Sequence, residues 1–356
     1  MDIKIITIHA MYNPGSVFQA YALQKYLQKD NKDNNVQIID YRPNYFYTEG
    51  SWLKLIGKKI LFGKDFRNRD YKFNNFIESH MDLTEKVKSE SDLEKAHFKG
   101  DVFIAGSDQL WNTDYKCGHD MAFYLHFVED GEKISYSTSV GKKVIDNENM
   151  TILKRELPAF RHIAVREKST AGILSKELNR KVEWVCDPVF LLNKEDYMPF
   201  IKKQPWMDKD YVMIYIPPLK SRLISELVKY YKNKGLRVVL CGGFTKRCEC
   251  DQMVRDMGPE DFLSIIYYSK AVVCGSFHAT AFSLIMHKNF VSVVPKPNGE
   301  RILSLLEEAG LKERAMDDML YEDILEKKID WNHVDENLLN YINSSKNYLQ
   351  SVLDYK

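Results

Sequence analysis

The feature that most constrains this chain is an alternation, run through twice, of short apolar β-rich runs with segments of helical period. In the first half the runs are Ile3–Ile8, Val36–Asp40, Asp101–Ala105, Lys133–Ser137, His162–Val165 and Val182–Cys186. Helix-period segments lie between several of them, clearest at Ser16–Gln28, Met150–Leu157 and Lys168–Leu178. In the second half the runs are Tyr211–Ile216, Arg237–Cys241, Ala271–Gly275 and Asn289–Val294, with helices expected at Lys220–Asn233, Glu260–Ser269, His278–His287 and Glu300–Ala309. Strands this apolar, separated by helices, belong in parallel sheets covered on both faces. The expected fold class is α/β, with two doubly wound, Rossmann-like lobes and a cleft between them. A length of 356 residues agrees, at about 150 residues per domain.

The lobe boundary is expected at 186–193. Residues 1–192 then form the first lobe, with an aromatic, basic and irregular insertion at 44–100 in which helices are expected. Residues 193–332 form the second, and 333–356 an amphipathic closing helix able to pack back on the first. Ser16 with Gln19 reads as a capping box for the first helix.

Composition removes several function classes. Lys plus Arg is 51 and Asp plus Glu 50, a net charge of +1, so the chain lacks the electrostatic footprint of a dedicated nucleic-acid binder. No apolar run approaches the ~18 residues of a transmembrane segment. The opening Met1–Ile8 is too short for a signal peptide and reads as a strand. With the six cysteines read as free thiols, a cytoplasmic location is expected. Cys241, Cys248 and Cys250 lack the C-x2-C and histidine spacing of a zinc site. Neither a G-x-G-x-x-G nor a G-x-x-x-x-G-K-[ST] loop is present.

Ligands of open α/β sheets bind outside the carboxyl ends of the strands. That rule selects the loops 9–15, 106–112, 139–142, 217–218, 242–244, 275–280 and 295–301, together with Arg166. At Ala271–Phe282 a buried strand ends in Gly275 and runs into a helix whose first amides suit a phosphate or carboxylate. Ser276 and Thr280 add hydroxyls and His278 a titratable imidazole; the same pattern also fits a plain N-cap and a core histidine. At Gly106–Asn112, Asp108 is placed to orient a histidine or bind sugar hydroxyls and Trp111 to stack on a sugar ring, or the two are a cap and a core residue. Asn13 opens the first helix. Arg166 and Arg301 offer forks for anions, or pair with Glu167 and with Glu300 or Glu308. Glu300 and Glu308 also match the E-x7-E spacing of some nucleotide-sugar glycosyltransferases.

Taken in order, the segments 13–23, Ile39-Asp40-Tyr41-Arg42-Pro43, Gly106-Ser107-Asp108-Gln109-Leu110-Trp111-Asn112, 135–141, Val165-Arg166-Glu167, Asp187-Pro188 and Gly275-Ser276-Phe277-His278-Ala279-Thr280, then Arg301-Ile302 and Leu305-Leu306, resemble the polysaccharide pyruvyl transferase family from residue 1 to about 312. The resemblance implies a fold of the glycosyltransferase-B kind and transfer of pyruvate from phosphoenolpyruvate to a sugar of a polysaccharide or lipid-linked repeat unit. The second lobe would be the donor side and the first the acceptor side. It implies no metal or organic cofactor, and it places a lipid-linked acceptor at the inner face of the membrane. Its histidine falls on His278 and its strand-end arginine on Arg166, with Asp108 in the acceptor-binding or orienting role. Related branches carry Arg-Leu-His where this chain has Ser276-Phe277-His278, so Arg301 or Lys296 is expected to supply the missing charge. Asn13, Trp111 and Asn112 are expected at the acceptor; Arg166, Ser276, Thr280, Arg301 and Lys296 at the donor; His278 and Asp108 in catalysis. Two other functions fit the same scaffold: a nucleotide-sugar glycosyltransferase and a non-catalytic glycan- or anion-binding protein.

Overall fold

The strands and helices follow one another along the chain as the alternation predicts. In this computed structural model they are β1 (Asp2–Ile6), α1 (Pro14–Asp30), β2 (Asn35–Ile38), α2 (Trp52–His80), α3 (Glu90–Ala96), β3 (Val102–Ala105), β4 (Glu132–Ser135), α4 (Asn147–Glu156), β5 (Ala164–Val165), α5 (Lys168–Glu177) and β6 (Glu183–Trp184). There follow α6 (Lys194–Tyr197), β7 (Tyr211–Tyr215), α7 (Ser221–Asn233), β8 (Arg237–Cys241), β9 (Gln252–Val254), α8 (Pro259–Tyr268), β10 (Ala271–Cys274), α9 (Phe277–Ile285), β11 (Asn289–Val293), α10 (Glu300–Glu308), β12 (Ala315–Met316), α11 (Glu322–Glu326) and α12 (Trp331–Leu353). The structure describes every residue except 48–51, 217–220, 243–248, 296–298, 318, 321 and 354–356, and the side chains of 47, 52–60 and 221 are likewise outside the description. The expected site residue Lys296, the loop at 217–218, most of 242–244 and Cys248 therefore lie outside the described residues.

The chain divides into two compact units. The first comprises 1–49, 77–192 and 339–356, and the second 50–76 and 193–338. The insertion expected in the first lobe is thus shared out: 50–76 group with the second unit. Physical partners explain this. Lys72 on α2 pairs with Asp256 (3.0 Å) and Asp261 (2.8 Å), and Phe76 packs edge-on against Phe200. Along α2 the backbone leaves helical geometry at Phe62 (φ −127°).

In the first unit four parallel strands run in the order β2-β1-β3-β4, with β1 between β2 and β3 (Ile5 opposite both Ile38 and Ile104). The bridges Ile134–His162 and Thr138–Val165 continue β4 towards the two-stranded β5–β6. In the second unit six parallel strands run β12-β11-β10-β7-β8-β9. Each sheet reverses its winding once, between β1 and β3 in the first and between β7 and β10 in the second. The central strands are buried on both faces, as in Val-Phe-Ile-Ala of β3 and Ala-Val-Val-Cys of β10. Each fully buried large apolar side chain contributes about 1.5–3 kcal/mol. Strands β9 and β12, three and two residues long, are not among the runs read from the sequence.

The first helix corrects the expected capping box. Its N-cap is Asn13, whose Oδ1 accepts from the Gly15 amide (3.0 Å), with Pro14 in the first helical position. Pro is favoured there because its missing N–H would have no intrahelical partner. Ser16 and Gln19 are thereby freed for tertiary contacts. Gln19 Nε2 donates to Thr7 Oγ1, Ile8 O and Ser16 O, tying α1 to the loop after β1.

Residues 339–353 of α12 lie in the first unit. There Tyr341 donates to Val185 O (2.8 Å) and stacks on Trp184, and Ser345 accepts from the Cys186 amide (2.8 Å). Tyr348 donates to Ser135 O (3.1 Å) and stacks on Tyr136. Removing a buried aromatic costs about 3–5 kcal/mol. Tyr348→Ala should therefore lower the urea midpoint of the first unit strongly; a change under about 1 kcal/mol would mean that this packing contributes little.

Candidate functional site

The winding reversal of the first sheet puts the loop after β1 beside the loop after β3, where open α/β sheets bind ligands. A cavity of about 190 Å³ lies there, lined by Ile8, Met11, Asn13, Ser16, Tyr45, Phe46, Asp108, Gln109, Tyr115, Lys116 and Cys117. Its polar groups come from Asp108, Gln109 and Ser16, its apolar wall from Ile8, Met11 and Phe46, and Asn13, Tyr115 and Lys116 are exposed beside it.

Asp108 is held against its backbone preference. Its φ is +82°, a region that costs a non-glycine residue of order 1–3 kcal/mol. The Ser139 amide donates to Asp108 O (2.9 Å), and so does the Leu110 amide (2.8 Å), fixing the turn. The carboxylate accepts from Ser16 Oγ (2.6 Å) and from the Gln109 amide (2.9 Å). Behind it Arg166 Nη1 donates to Asp187 (2.5 Å) and Ser107 Oγ (3.4 Å), with Nη2 at 3.9 Å from Asp108. Arg166 is 3% exposed, so the surface pair with Glu167 gives way to a buried ion pair with Asp187. Burial alone would lower the pKa of this guanidinium; Asp187, Asp108 and Glu167 outweigh it and hold it above the usual arginine value. Glu167 accepts from Ser139 Oγ instead.

Two expected acceptor residues are corrected. Trp111 is 0% exposed, its Nε1 donates to Phe123 O (3.1 Å), and it stacks on Tyr124 and meets Phe160 edge-on. It has no surface to offer a sugar. Asn112 is also fully buried, its Oδ1 accepting from the Asp114 amide. Their neighbour Gln109 lines the cavity, and the sequence reading gave it no role. It is 9% exposed, and its Nε2 has no hydrogen-bond partner among the described residues. Gly141 (φ +71°) presses close: a Cβ there would come within 1.9 Å of that Nε2 and 3.2 Å of Asn112 Nδ2. The signal available in the sequence was position alone, next to Asp108 in a strand-end turn.

One wall of the cavity carries a titratable anchor. Tyr45 and Tyr41 both donate to Asp120 Oδ2, at 2.5 and 2.8 Å. Burial pushes the Asp120 carboxyl up to about 6, against the pull of the two tyrosines, with Glu90 reinforcing the rise.

In the second unit the reversal lies between β7 and β10, so the start of α9 stands at the corresponding place. Ser276 is its N-cap by backbone geometry, but its hydroxyl makes no cap bond. His278 is 4% exposed, with its ring edge-on to Phe277 (5.3 Å between centroids). The guanidinium of Arg301 lies 5.9 Å from the centre of the same Phe277 ring. Phe277 thus carries the imidazole on one contact and the arginine on another. Thr280 is corrected. It is 0% exposed, donates to Ser276 O (3.1 Å) and pairs with Ser292 Oγ (2.7 Å), because one turn into α9 its side chain faces the sheet.

Among the described residues no group of three or more His, Cys, Asp or Glu is placed to hold a metal ion, and no helix is long and apolar enough to cross a membrane. The described cysteines 117, 186, 241, 250 and 274 are free thiols.

Comparison with known proteins adds two findings. A family model described as polysaccharide pyruvyl transferase matches residues 13–297. In fold the chain is similar to a Listeria monocytogenes protein described as a UDP-N-acetylglucosamine 2-epimerase (TM-score 0.60, 7% identity, 100% of this chain and 97% of that one covered). The UDP-GlcNAc 2-epimerases of Neisseria meningitidis (TM-score 0.53, 10% identity, 99% and 100% covered) and Methanocaldococcus jannaschii (TM-score 0.53, 13% identity, 100% of each covered) are similar too. At these identities the likeness is one of fold, the two-lobed α/β arrangement of the glycosyltransferase-B kind. No curated protein sequence gives a significant match.

Two outcomes check this description. Trp111→Ala should cost about 3–5 kcal/mol of stability, read from the urea midpoint; an unchanged midpoint would return Trp111 to the surface. A carboxyl whose pKa is raised by folding binds more protons folded than unfolded, so stability falls as pH rises between about 4, the unfolded value, and about 6. Asp120→Asn should flatten that part of the stability–pH curve; an unaltered slope would show that Asp120 is not the group responsible.

Proposed function

The chain belongs to the polysaccharide pyruvyl transferase family, and from that premise we propose that it moves pyruvate from phosphoenolpyruvate onto a sugar as a ketal. The observation that carries the reading is the trio at the start of α9, where His278 and Arg301 share contact with Phe277. Phosphoenolpyruvate has a carboxylate and a phosphate. The amides of the first turn of α9, the positive end of its dipole and the Arg301 fork match those groups. Arg301 then supplies the charge that related branches carry at the position of Ser276. Arg166 is the second expected donor arginine; with its guanidinium on Asp187, its part on this reading is shared between anion and ion pair.

The chemistry asks for few groups. The proton from His278 goes to the methylene carbon of phosphoenolpyruvate and makes C2 electrophilic. A sugar hydroxyl adds to C2 and gives up its proton, phosphate leaves, and a second hydroxyl closes the ring with loss of its own proton. The sum is phosphoenolpyruvate plus a diol giving a ketal plus inorganic phosphate. Fixed donors around the leaving phosphate stabilise the charge it develops. The cavity beside Asp108 is, on this reading, where the acceptor sugar sits, with Asn13 at its rim. A lipid-linked acceptor would bring the enzyme to the inner face of the membrane.

Phosphate release from phosphoenolpyruvate, followed with a panel of glycosides and lipid-linked oligosaccharides, tests the proposal. His278→Ala should keep the melting temperature and its shift by phosphoenolpyruvate while turnover falls roughly 10²–10⁴-fold, the usual worth of acid–base help. An undiminished rate in that variant would remove His278 from the mechanism.

A further inference from the structure

We infer that His9 is a proton-dependent positioning residue for the cavity of the first unit: with both ring nitrogens protonated it pins the loop after β1 to Asp40, and loss of the Nδ1 proton releases that loop. The inference goes beyond the pyruvyl transfer reading and needs no identity for the ligand of the cavity.

Besides the Asp108 turn, the cavity is walled by residues that follow two neighbouring strands. Ile8, Met11 and Asn13 follow β1, and Tyr45 and Phe46 follow β2. His9 and Asp40 stand at the bases of these two walls and meet each other. The His9 side chain is 0% exposed, with Nε2 2.9 Å from Asp40 Oδ1 and Nδ1 3.2 Å from Thr7 O. The same Asp40 oxygen accepts from Arg42 Nε, three residues before Tyr45. One buried carboxylate therefore ties the wall that follows β1 to the wall that follows β2.

The partners of the ring decide its charge. A carbonyl oxygen only accepts hydrogen bonds, and so does an ionised carboxylate. Burial alone would raise the pKa of Asp40; the bonds from His9 and Arg42 outweigh it and hold the carboxyl below its usual range, so it is ionised. Both nitrogens of His9 thus face acceptors. A neutral imidazole has one N–H and one lone pair. If it keeps the bond to Asp40, the lone pair of Nδ1 points at Thr7 O, acceptor against acceptor in a site closed to water. The imidazolium satisfies both contacts and makes the bond to Asp40 a charge-assisted one. Unmatched buried polar groups are costly, so removing the Nδ1 proton sets the ring against its own backbone.

The charged groups facing the ring come from the segment after β2: Asp40 directly, and Arg42 across the same carboxylate. Neutral groups hold the rest. Gln19 of α1 donates to Thr7 Oγ1 and Ile8 O, and Thr7 Oγ1 donates to Ser107 O after β3. The Asp40 backbone bonds to Thr84 Oγ1 and to the Val87 amide. Thr7 and Ile8 are thereby anchored whatever the charge on His9. The movement released falls on the stretch from His9 to the Asn13 cap, which carries Met11 into the cavity wall.

The test uses the full chain without phosphoenolpyruvate or sugar, labelled with 15N in the histidine rings and 13C in the methionine methyls, and titrated by NMR. Met11→Leu identifies the Met11 methyl, and ring contacts with the Thr7 side chain identify His9. On the acid side both His9 nitrogens should give N–H signals. As pH rises Nδ1 should become a lone-pair nitrogen, and the Met11 methyl should shift with the same midpoint. His9→Gln should abolish that pH dependence of the methyl; if this variant does not fold, the wild-type titration decides alone. A His9 ring with one lone-pair nitrogen throughout, a Met11 methyl that does not follow the His9 midpoint, or the same methyl titration in His9→Gln would overturn the inference. Because no donor or acceptor enters the measurement, its failure leaves the pyruvyl transfer reading standing, and absent phosphate release leaves this inference standing.

Discussion

The ion pair of Arg166 with Asp187 sets the terms for the first unit. Taking a guanidinium and a carboxylate out of water costs several kcal/mol per ion, offset only where both are held in good geometry with their other hydrogen bonds met. Here the two sit at the ends of β5 and β6, with Ser107, after β3, bonded to both. That cluster joins three strand ends, and Asp108 is drawn into its left-handed turn directly in front of it. From there Ser16 links the turn to α1, and Gln19 links α1 to Thr7 and Ile8 of the loop after β1. The cavity wall is therefore an outcome of one buried charge arrangement and not of several independent loops.

The second unit solves a related problem with less charge. The end of β10 delivers Gly275 and Ser276 into the first turn of α9, and Thr280 locks that turn to β11 through Ser292. Thr280 is thereby used within the protein, and on the proposed reading the donor meets backbone amides, His278 and Arg301 instead. Phe277 gives these two side chains a common neighbour. Arg301, from α10, thus lies near the histidine in space though distant from it in sequence, which a linear motif does not display.

Much of the architecture was legible in the sequence because it rests on local pattern. The run Arg237–Cys241 is a strand over its whole length, and the helix read at 300–309 occupies Glu300–Glu308. What was misread depends on competition between nearby residues or on tertiary contacts. Ser16 looked like a cap, yet Pro14 moves the helix start back to Asn13 and turns Ser16 towards Asp108. Trp111 has the composition of a sugar platform, but Tyr124, Phe160 and the Phe123 carbonyl claim it for the core. Gln109 gave no signal either: its Nε2 has no hydrogen-bond partner among the described residues, and no spacing rule reports that. The grouping of 50–76 with the second unit likewise rests on partners distant in sequence, Asp256 and Asp261 for Lys72.

The central claim is that the helix start at Phe277–Thr280 takes phosphoenolpyruvate. Thermal unfolding with phosphoenolpyruvate, UDP, GDP and inorganic phosphate, each over a concentration series, tests it without knowledge of the acceptor. A ligand at 100 times its dissociation constant stabilises by about 2.7 kcal/mol, enough to move the melting point by several degrees in a protein of this size. The account requires a shift with phosphoenolpyruvate larger than that with phosphate, absent with UDP and GDP, and reduced in Arg301→Ala. A shift with the nucleotides and none with phosphoenolpyruvate would contradict it and make the chain a nucleotide-sugar enzyme on the same scaffold.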